Sequence, residues 1–224
     1  MNDDIKDLYT SKAGLYDRFV SLFRYRHGLQ AFWEKSGLLA DGIGVLDAGC
    51  GSGMLSLAFL DALANRHFTS ERMHAFDLTP KMIELFRARL AKRSIGNVEI
   101  EEANVLHLET LPETWTNYDL VISASMLEYV PRDRFVDAIR GLGECLKDDG
   151  TFVLFITRDN WLMRWLIGKL WHSNLYTRAQ LHDSFGDAGF SDVRFDQFPL
   201  SRLGLRFWGH IVIATKASLP PNGN

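Results

Sequence analysis

Val45-Leu46-Asp47-Ala48-Gly49-Cys50-Gly51-Ser52-Gly53 is the stretch that decides the fold. An apolar run from Ile43 to Leu46 ends on a carboxylate. Three glycines then alternate with small residues, and an apolar-periodic stretch begins at Met54, Leu55, Leu57, Ala58, Leu60 and Leu63. That order predicts a strand, a tight turn and a helix. Glycine permits positive φ and lets a ligand approach where a Cβ would collide. The helix that follows points its free N–H groups and positive dipole end back at the turn. Turns of this kind hold nucleotides or nucleoside-like cofactors.

Spacing narrows the cofactor. The dinucleotide fingerprint is G-x-G-x-x-G. Gly49 and Gly51 fit its first two positions, but the third falls on Met54 and a glycine arrives one residue early, at Gly53. The pattern is D-x-G-x-G-x-G instead, from Asp47 to Gly53. No G-x-x-x-x-G-K-[ST] occurs, so a P-loop is excluded. The seven-residue pattern after a strand resembles motif I of the class I S-adenosylmethionine-dependent methyltransferases. The plain alternative is a glycine-rich strand–helix turn that holds nothing.

The rest of the chain suits one domain. It has 224 residues, 46% hydrophobic and 24% charged, enough to bury a large core. A net charge of −3 argues against a dedicated nucleic-acid binder. The polar, acidic start Met1-Asn2-Asp3-Asp4 has no signal or transit character, so a cytoplasmic protein is expected. Cys50 and Cys145 form neither a disulfide framework nor a metal set, and no metal is expected.

Strand-like runs at 44–47, 72–77, 98–103, 118–124 and 151–157 alternate with helical runs at 53–65, 80–92 and 132–146. Alternation of this kind signals a parallel sheet covered on both faces. Pro80 marks a helix start and Asp148-Asp149-Gly150 a helix stop. Two further strand-like runs, 192–198 and 210–215, suit an antiparallel pair at one sheet edge. The resemblance, which covers roughly residues 40–216, implies the same α/β fold: a doubly wound, seven-stranded, mostly parallel, Rossmann-like sheet. The expected organisation is an N-terminal helical cover (1–40), a methyltransferase domain (41–216) with a lid-like insertion near 158–180, and a disordered tail (217–224).

By that resemblance, Asp47, Gly49, Cys50, Gly51 and Gly53 hold S-adenosylmethionine, and Asp77, ending the second strand, takes both ribose hydroxyls. A carboxylate suits that task because it offers two acceptor oxygens to neighbouring donors. Asp77 lies 28 residues beyond Gly49, against an analogous spacing of about 20. The stretch 65–71, as an extended loop, is expected to absorb the surplus. Leu78 and Met82 flank the adenine. Asn104 and Val105 contact its amino group, with Asn where the family more often has Asp. Ser123 opens the segment Ser123–Val130, which lines the methyl-donor pocket. No N-P-P-Y or D-P-P-Y follows that strand, which lowers a nucleic-acid or protein-amide substrate.

Methyl transfer from a sulfonium is an in-line displacement. The protein mainly aligns the nucleophile and excludes water, and a base is needed only when the acceptor must lose a proton early. Glu128 and Tyr129 are the candidate catalytic residues, with His172 and His182 behind them; each has an ordinary structural reading as a helix cap or surface residue. Two aromatic-rich, cation-edged regions flank the common part: Tyr9, Tyr16 to Phe19, Leu22 to Phe23, Tyr25 to His27 and Phe32-Trp33, then Asn160 to Trp171. They are expected to cover an apolar or aromatic, or lipid-like, acceptor. Alternatively, 161–171 makes peripheral membrane contact or is a structural helix; its apolar stretch is too short to span a bilayer. The start also loosely resembles quinone-biosynthesis and phospholipid methyltransferases. The function expected is methyl transfer from S-adenosylmethionine to a small acceptor. The alternatives are a nicotinamide-dependent oxidoreductase, disfavoured by Met54 and by the lack of a Tyr-x-x-x-Lys pair, or a non-catalytic scaffold.

Overall fold

The computed structural model describes residues 25–158, 173–199, 205–206 and 209–217. After α1 (Tyr25–Ser36) the chain alternates: β1 (Ile43–Ala48), α2 (Met54–Asn65), β2 (Ser70–Asp77), α3 (Pro80–Lys92), β3 (Val98–Glu102), β4 (Tyr118–Ala124), α4 (Phe135–Glu144) and β5 (Leu146–Thr157). It closes with α5 (Arg178–Asp187), β6 (Phe190–Asp196) and β7 (Gly209–Lys216). The seven strands lie in the order β3-β2-β1-β4-β5-β7-β6. β1 to β5 pair in parallel, whereas β7 slots between β5 and β6, antiparallel to both. This is the doubly wound sheet with its antiparallel edge pair.

Continuous apolar runs make the inner strands. In β5, Phe152, Leu154 and Ile156 face one layer and Val153 and Phe155 the other, as a strand buried on both faces requires. Helices α4 and α5 cover the first face through Phe135, Ile139, Leu142, Leu181 and Phe185. Helices α1, α2 and α3 cover the second.

Several expectations shift at the element ends. The Asp148-Asp149-Gly150 stop falls inside β5: α4 closes earlier, at Glu144, and Asp149 takes φ 59° where the pairing jumps from Tyr118↔Leu146 to Leu120↔Thr151. The signal marks an irregular strand entry. The expected loop over 65–71 is shorter, because β2 starts at Ser70 and a longer strand takes up part of the surplus. The helix expected over 132–146 begins as a tight single turn over Arg132–Arg134. Helix α5 was absent from the sequence reading, and its first residues, 178–180, fall in the span assigned to the insertion. Its signal was present: Thr177 and Gln180 form a reciprocal capping box.

The N-terminal cover needs the largest correction. In α1, Leu29, Phe32 and Trp33 are fully buried. Trp33 meets Phe59 of α2 and Phe155 of β5 edge-on, with ring centroids 5.0 and 5.8 Å apart. The helix is therefore a core layer of the sheet, which the expectation of a cover apart from the sheet did not include; its amphipathic spacing gave no sign of which face it would serve. Residues 1–24, 159–172 and 218–224 lie outside the described residues, and with them Tyr9, Tyr16 to Phe23, His172, the 161–171 membrane segment and nearly all of the tail. Among the described residues no helix is long and apolar enough to cross a membrane.

Truncating Trp33 to Ala should destabilise the protein by about 3–5 kcal/mol, the cost of deleting a buried aromatic ring. Trp33→Phe should cost clearly less, because the buried indole N–H has no hydrogen-bond partner to lose. Urea denaturation of the two variants checks the ranking.

Candidate functional site

The strand order reverses between β1 and β4, and open α/β sheets hold ligands outside the carboxyl ends of their strands at that point. Both connections there are short and tightly tied. After β1, the N–H groups of Gly49 and Cys50 both donate to the Phe76 carbonyl of β2, at 2.8 and 2.9 Å. Gly53 closes the turn by donating to the Cys50 carbonyl at 2.9 Å and enters α2 with φ 81°. A Cβ at Gly53 would overlap the Phe86 ring of α3, and one at Gly49 would overlap Met126. At Gly51, also at positive φ, a Cβ would meet nothing within 4 Å, so that face of the turn is open.

A cleft of about 900 Å³, counted out to its mouth, lies over this turn. One wall is Gly49, Cys50, Gly51 and Ser52 with Asp77, Leu78, Thr79 and Met82. The other is Ala124, Ser125, Met126 and Tyr129, closed by Tyr25 and Leu29 of α1. Asp77 joins two elements at the polar end. Its Oδ2 accepts from the Gly51 N–H at 2.8 Å and its Oδ1 from the Thr79 N–H at 2.8 Å. Each carboxylate oxygen has two acceptor positions, so both oxygens can still receive a ligand hydroxyl. Burial pushes the Asp77 pKa up, and the two backbone donors pull against that shift.

Asp47 sits behind the turn, fully buried. Its Oδ2 accepts from the Ser56 hydroxyl at 2.5 Å, while Oδ1 has no hydrogen-bond partner. Burial first, and then the neighbouring Asp77 charge, raise its pKa to about 7. Among the described residues the cleft wall carries no Lys, Arg or His. Asp77 on the wall and Asp47 behind it repel a pyrophosphate and attract a cation. A sulfonium with an ammonium-bearing tail fits that field. The orphaned Asp47 oxygen, the open face of Gly51 and the oriented Asp77 thus suit S-adenosylmethionine and not a dinucleotide.

Several expected residues stand elsewhere. Gly53 and Ser123 support the wall without lining it: Ser123, buried at the end of β4, donates to the Ala48 carbonyl of β1 at 2.7 Å. Asn104 and Val105 are also outside the lining. The Asn104 Oδ1 accepts from the Leu106 N–H at 3.1 Å, and Val105 is buried in the core with Ala103 and Trp115. Glu128 is the clearest correction. It is 2% exposed, and its oxygens accept from the Thr157 N–H and hydroxyl, both at 3.0 Å. It ties the end of β5 to the turn after β4 and offers no oxygen to an acceptor. Tyr129, its neighbour, does line the cleft. His182 is exposed on α5 beside Asp183. Sequence reasoning missed Leu29 and Thr79 as wall residues, whereas Tyr25 fell in the expected acceptor cover and Ser125 and Met126 in the expected pocket segment 123–130. Thr79 had a signal as the residue before the Pro80 helix; Leu29 had none.

Residues 45–150 match the family model for a methyltransferase domain. That span is a methyltransferase domain, with S-adenosylmethionine as the methyl donor. Solved structures share its fold. A magnesium protoporphyrin IX methyltransferase from Synechocystis PCC 6803, with S-adenosylmethionine bound, is 21% identical over 90% of this chain and 83% of its own, at a TM-score of 0.63. The YcgJ protein from Bacillus subtilis is 14% identical over 86% of this chain and 99% of its own, at 0.65. An O-methyltransferase family protein from Burkholderia thailandensis is 18% identical over 89% of this chain and 58% of its own, at 0.69. No protein of curated function matches the chain significantly in sequence.

The methyltransferase needs no strong base on this wall for an electron-rich nucleophile, since the sulfonium already activates the methyl group. What the chain supplies is alignment, a dry apolar wall and a field that favours the cationic donor.

Burial raises the Glu128 pKa to about 7 from an ordinary 4.5, so the folded state prefers the protonated acid. Stability contributed by this group is full below about pH 4.5, falls as the unfolded chain ionises, and levels off above about pH 7. Glu128→Gln should remove that slope, worth on the order of 3 kcal/mol between the two limits. The amide still accepts from the Thr157 N–H and can donate to its hydroxyl. Denaturant unfolding at pH 5 and pH 8 checks this: the variant should lose less stability than the parent, with the Asp47 slope remaining in both.

Proposed function

We propose that the methyltransferase uses the Gly49–Ser52 turn and Asp77 to hold S-adenosylmethionine and methylates a small apolar, aromatic or lipid-like acceptor beside Met126 and Tyr129. The observation that carries this reading is the division of the cleft. Its glycine-turn side is polar and acidic, whereas Leu29, Ala124, Met126 and the rings of Tyr25 and Tyr129 make its other side apolar. An apolar acceptor gains from burial there, and the same surfaces exclude water from the sulfonium.

The ribose hydroxyls are assigned to Asp77, whose geometry is fixed before the cofactor arrives. The adenine is assigned to the Leu78 and Met82 side of the wall. Tyr129 is the side chain placed to touch the acceptor. The aromatic-rich sequence 161–171 follows β5 directly, and its Trp and Leu content with Arg164 and Lys169 supports contact with the acceptor or with a membrane that supplies it. The net charge of −3 and the absence of a basic residue among the described residues of the cleft wall speak against a nucleic-acid acceptor.

Calorimetry should give micromolar or tighter binding of S-adenosylhomocysteine and no comparable binding of NADH. Asp77→Ala should weaken S-adenosylhomocysteine by on the order of 1.5–3 kcal/mol, the range for hydrogen bonds to a charged group. Asn104→Ala should cost less, since its oxygen is already occupied by the Leu106 N–H. Unchanged affinity in a folded Asp77 variant would overturn the ribose assignment. Screening acceptors with a labelled methyl donor tests the other half: transfer only to polar or nucleic-acid acceptors would overturn the apolar reading.

A further inference from the structure

We infer that the carboxyl end of β5, next to the cleft, is a subsite for an anionic group of the acceptor, a carboxylate or phosphate, held by Arg158 and Arg178. The inference rests on the proposed reading of the cleft as the methyl-transfer site.

Arg158 follows Thr157 at the end of β5, and its backbone bridges to Tyr176. Its Nη1 donates to the Arg206 carbonyl at 3.1 Å, which holds the guanidinium beside the chain that enters β7. Arg178 opens α5 two residues after Tyr176, with its Cζ 4.9 Å from the centroid of the Phe195 ring. That ring lies 6.0 Å from the ring of His210, which pairs with Ile156 in β7. Arg178 thus reaches His210 through the Phe195 ring, and Arg158 follows Thr157 on the strand that pairs with it. Burial first, then the charges of Arg158 and Arg178, lower the His210 pKa to about 4, so the imidazole is neutral at physiological pH.

Nothing among the described residues balances that charge. Arg158 spends its hydrogen bond on a carbonyl and Arg178 stacks on a ring, so neither has a carboxylate partner. The nearby buried acid, Glu128, gives both oxygens to Thr157. Asp196, at the end of β6, is exposed and turns its Oδ1 to the Gln197 N–H. The Tyr176 hydroxyl and the Arg206 Nε are buried without a hydrogen-bond partner. The Tyr176 ring itself lies between Phe135 and Arg132, so the orphan next to Arg158 is the Arg206 group whose carbonyl it holds. Cations without a carboxylate beside an unsatisfied buried donor are the condition an anion relieves. The position also fits: Thr157 is bonded to Glu128, whose neighbour Tyr129 is on the cleft wall. An acceptor with its apolar body along Tyr129 would carry its charged end toward Arg158.

The test uses the full chain saturated with S-adenosylhomocysteine and two probes, benzoate as a carboxylate on an aromatic body and inorganic phosphate. Binding is followed by calorimetry and by the NMR titration of the His210 ring. At least one probe should bind in the millimolar range and raise the His210 pKa by about a unit or more, as a nearby anion does. Arg178→Gln, at an exposed helix position, and Arg158→Gln should each weaken the probe about ten-fold, the loss of a charge-assisted hydrogen bond. Affinity for S-adenosylhomocysteine should stay unchanged in both. Absent binding, or binding that ignores both arginines while S-adenosylhomocysteine still binds, overturns the subsite alone. Failure of S-adenosylhomocysteine to bind the parent protein overturns the cofactor reading instead.

Discussion

The hydrogen bond from the Gly51 N–H to the Asp77 carboxylate, 2.8 Å long, is the contact on which the cleft depends. It fixes the glycine turn to the end of β2, while the second oxygen, on the Thr79 N–H, fixes the start of α3. One side chain therefore sets the relation of three elements. Residues with positive φ at Gly49, Gly51 and Gly53 make the turn tight enough to meet that carboxylate. Phe86 of α3 then packs where a Cβ on Gly53 would be, and Met126 where one on Gly49 would be. Glycine at 49 and 53 serves close packing; at 51 it leaves space. The motif's three glycines thus have two different physical jobs.

Three carboxylates stand on the carboxyl side of the sheet: Asp47 and Asp77 in the last residues of β1 and β2, and Glu128 in the turn after β4, bonded to the end of β5. Burial raises the pKa of each, a cost that neutral packing would avoid. In the proposed reading, Asp47 and Asp77 offset it by favouring a cationic cofactor, whose charge would relieve their mutual repulsion. Glu128 offsets it differently. Its side chain holds Thr157, and its carbonyl accepts from the Asn174 N–H at 2.7 Å, so one residue joins the exits of β4 and β5 to the chain that re-enters before α5. Asn174 returns a second bond to the Val130 carbonyl and Arg132 one to the Leu175 carbonyl. The acceptor-side wall at Met126 and Tyr129 is therefore braced from behind.

The fold was legible because its signals are local. Apolar runs of strand length, the glycine turn and Pro80 are each read within a few residues, and they place β1 to β4, α2 and α3 closely. Strand ends moved where tertiary pairing overrode turn chemistry, as at Asp149. Helix α5 was missed although Thr177 and Gln180 carry its cap, because the neighbouring tryptophans drew the whole stretch into one segment. Asp77 was legible from its place at a strand end. Glu128 was misread because burial and partners are not local: nothing near it in sequence says that Thr157, 29 residues on, will take both oxygens. The same holds for Leu29 and Tyr25, whose approach to the cleft depends on where α1 packs.

Cofactor and acceptor recognition differ in how they are encoded. The cofactor half is built from one strand–turn–helix and the strand beside it, so a short sequence pattern can specify it. The proposed acceptor half draws on α1, the turn after β4, the end of β5, the start of α5 and the start of β7, five places spread from Tyr25 to His210. No single motif can carry information distributed in that way. Substitutions there change the shape and charge of the acceptor wall without touching Asp77 or the glycine turn. Such an arrangement allows one cofactor to serve many acceptors, and it explains why the methyl donor can be named from this chain while the acceptor is proposed by its chemistry alone: an apolar body against Tyr129 and an anionic end toward Arg158.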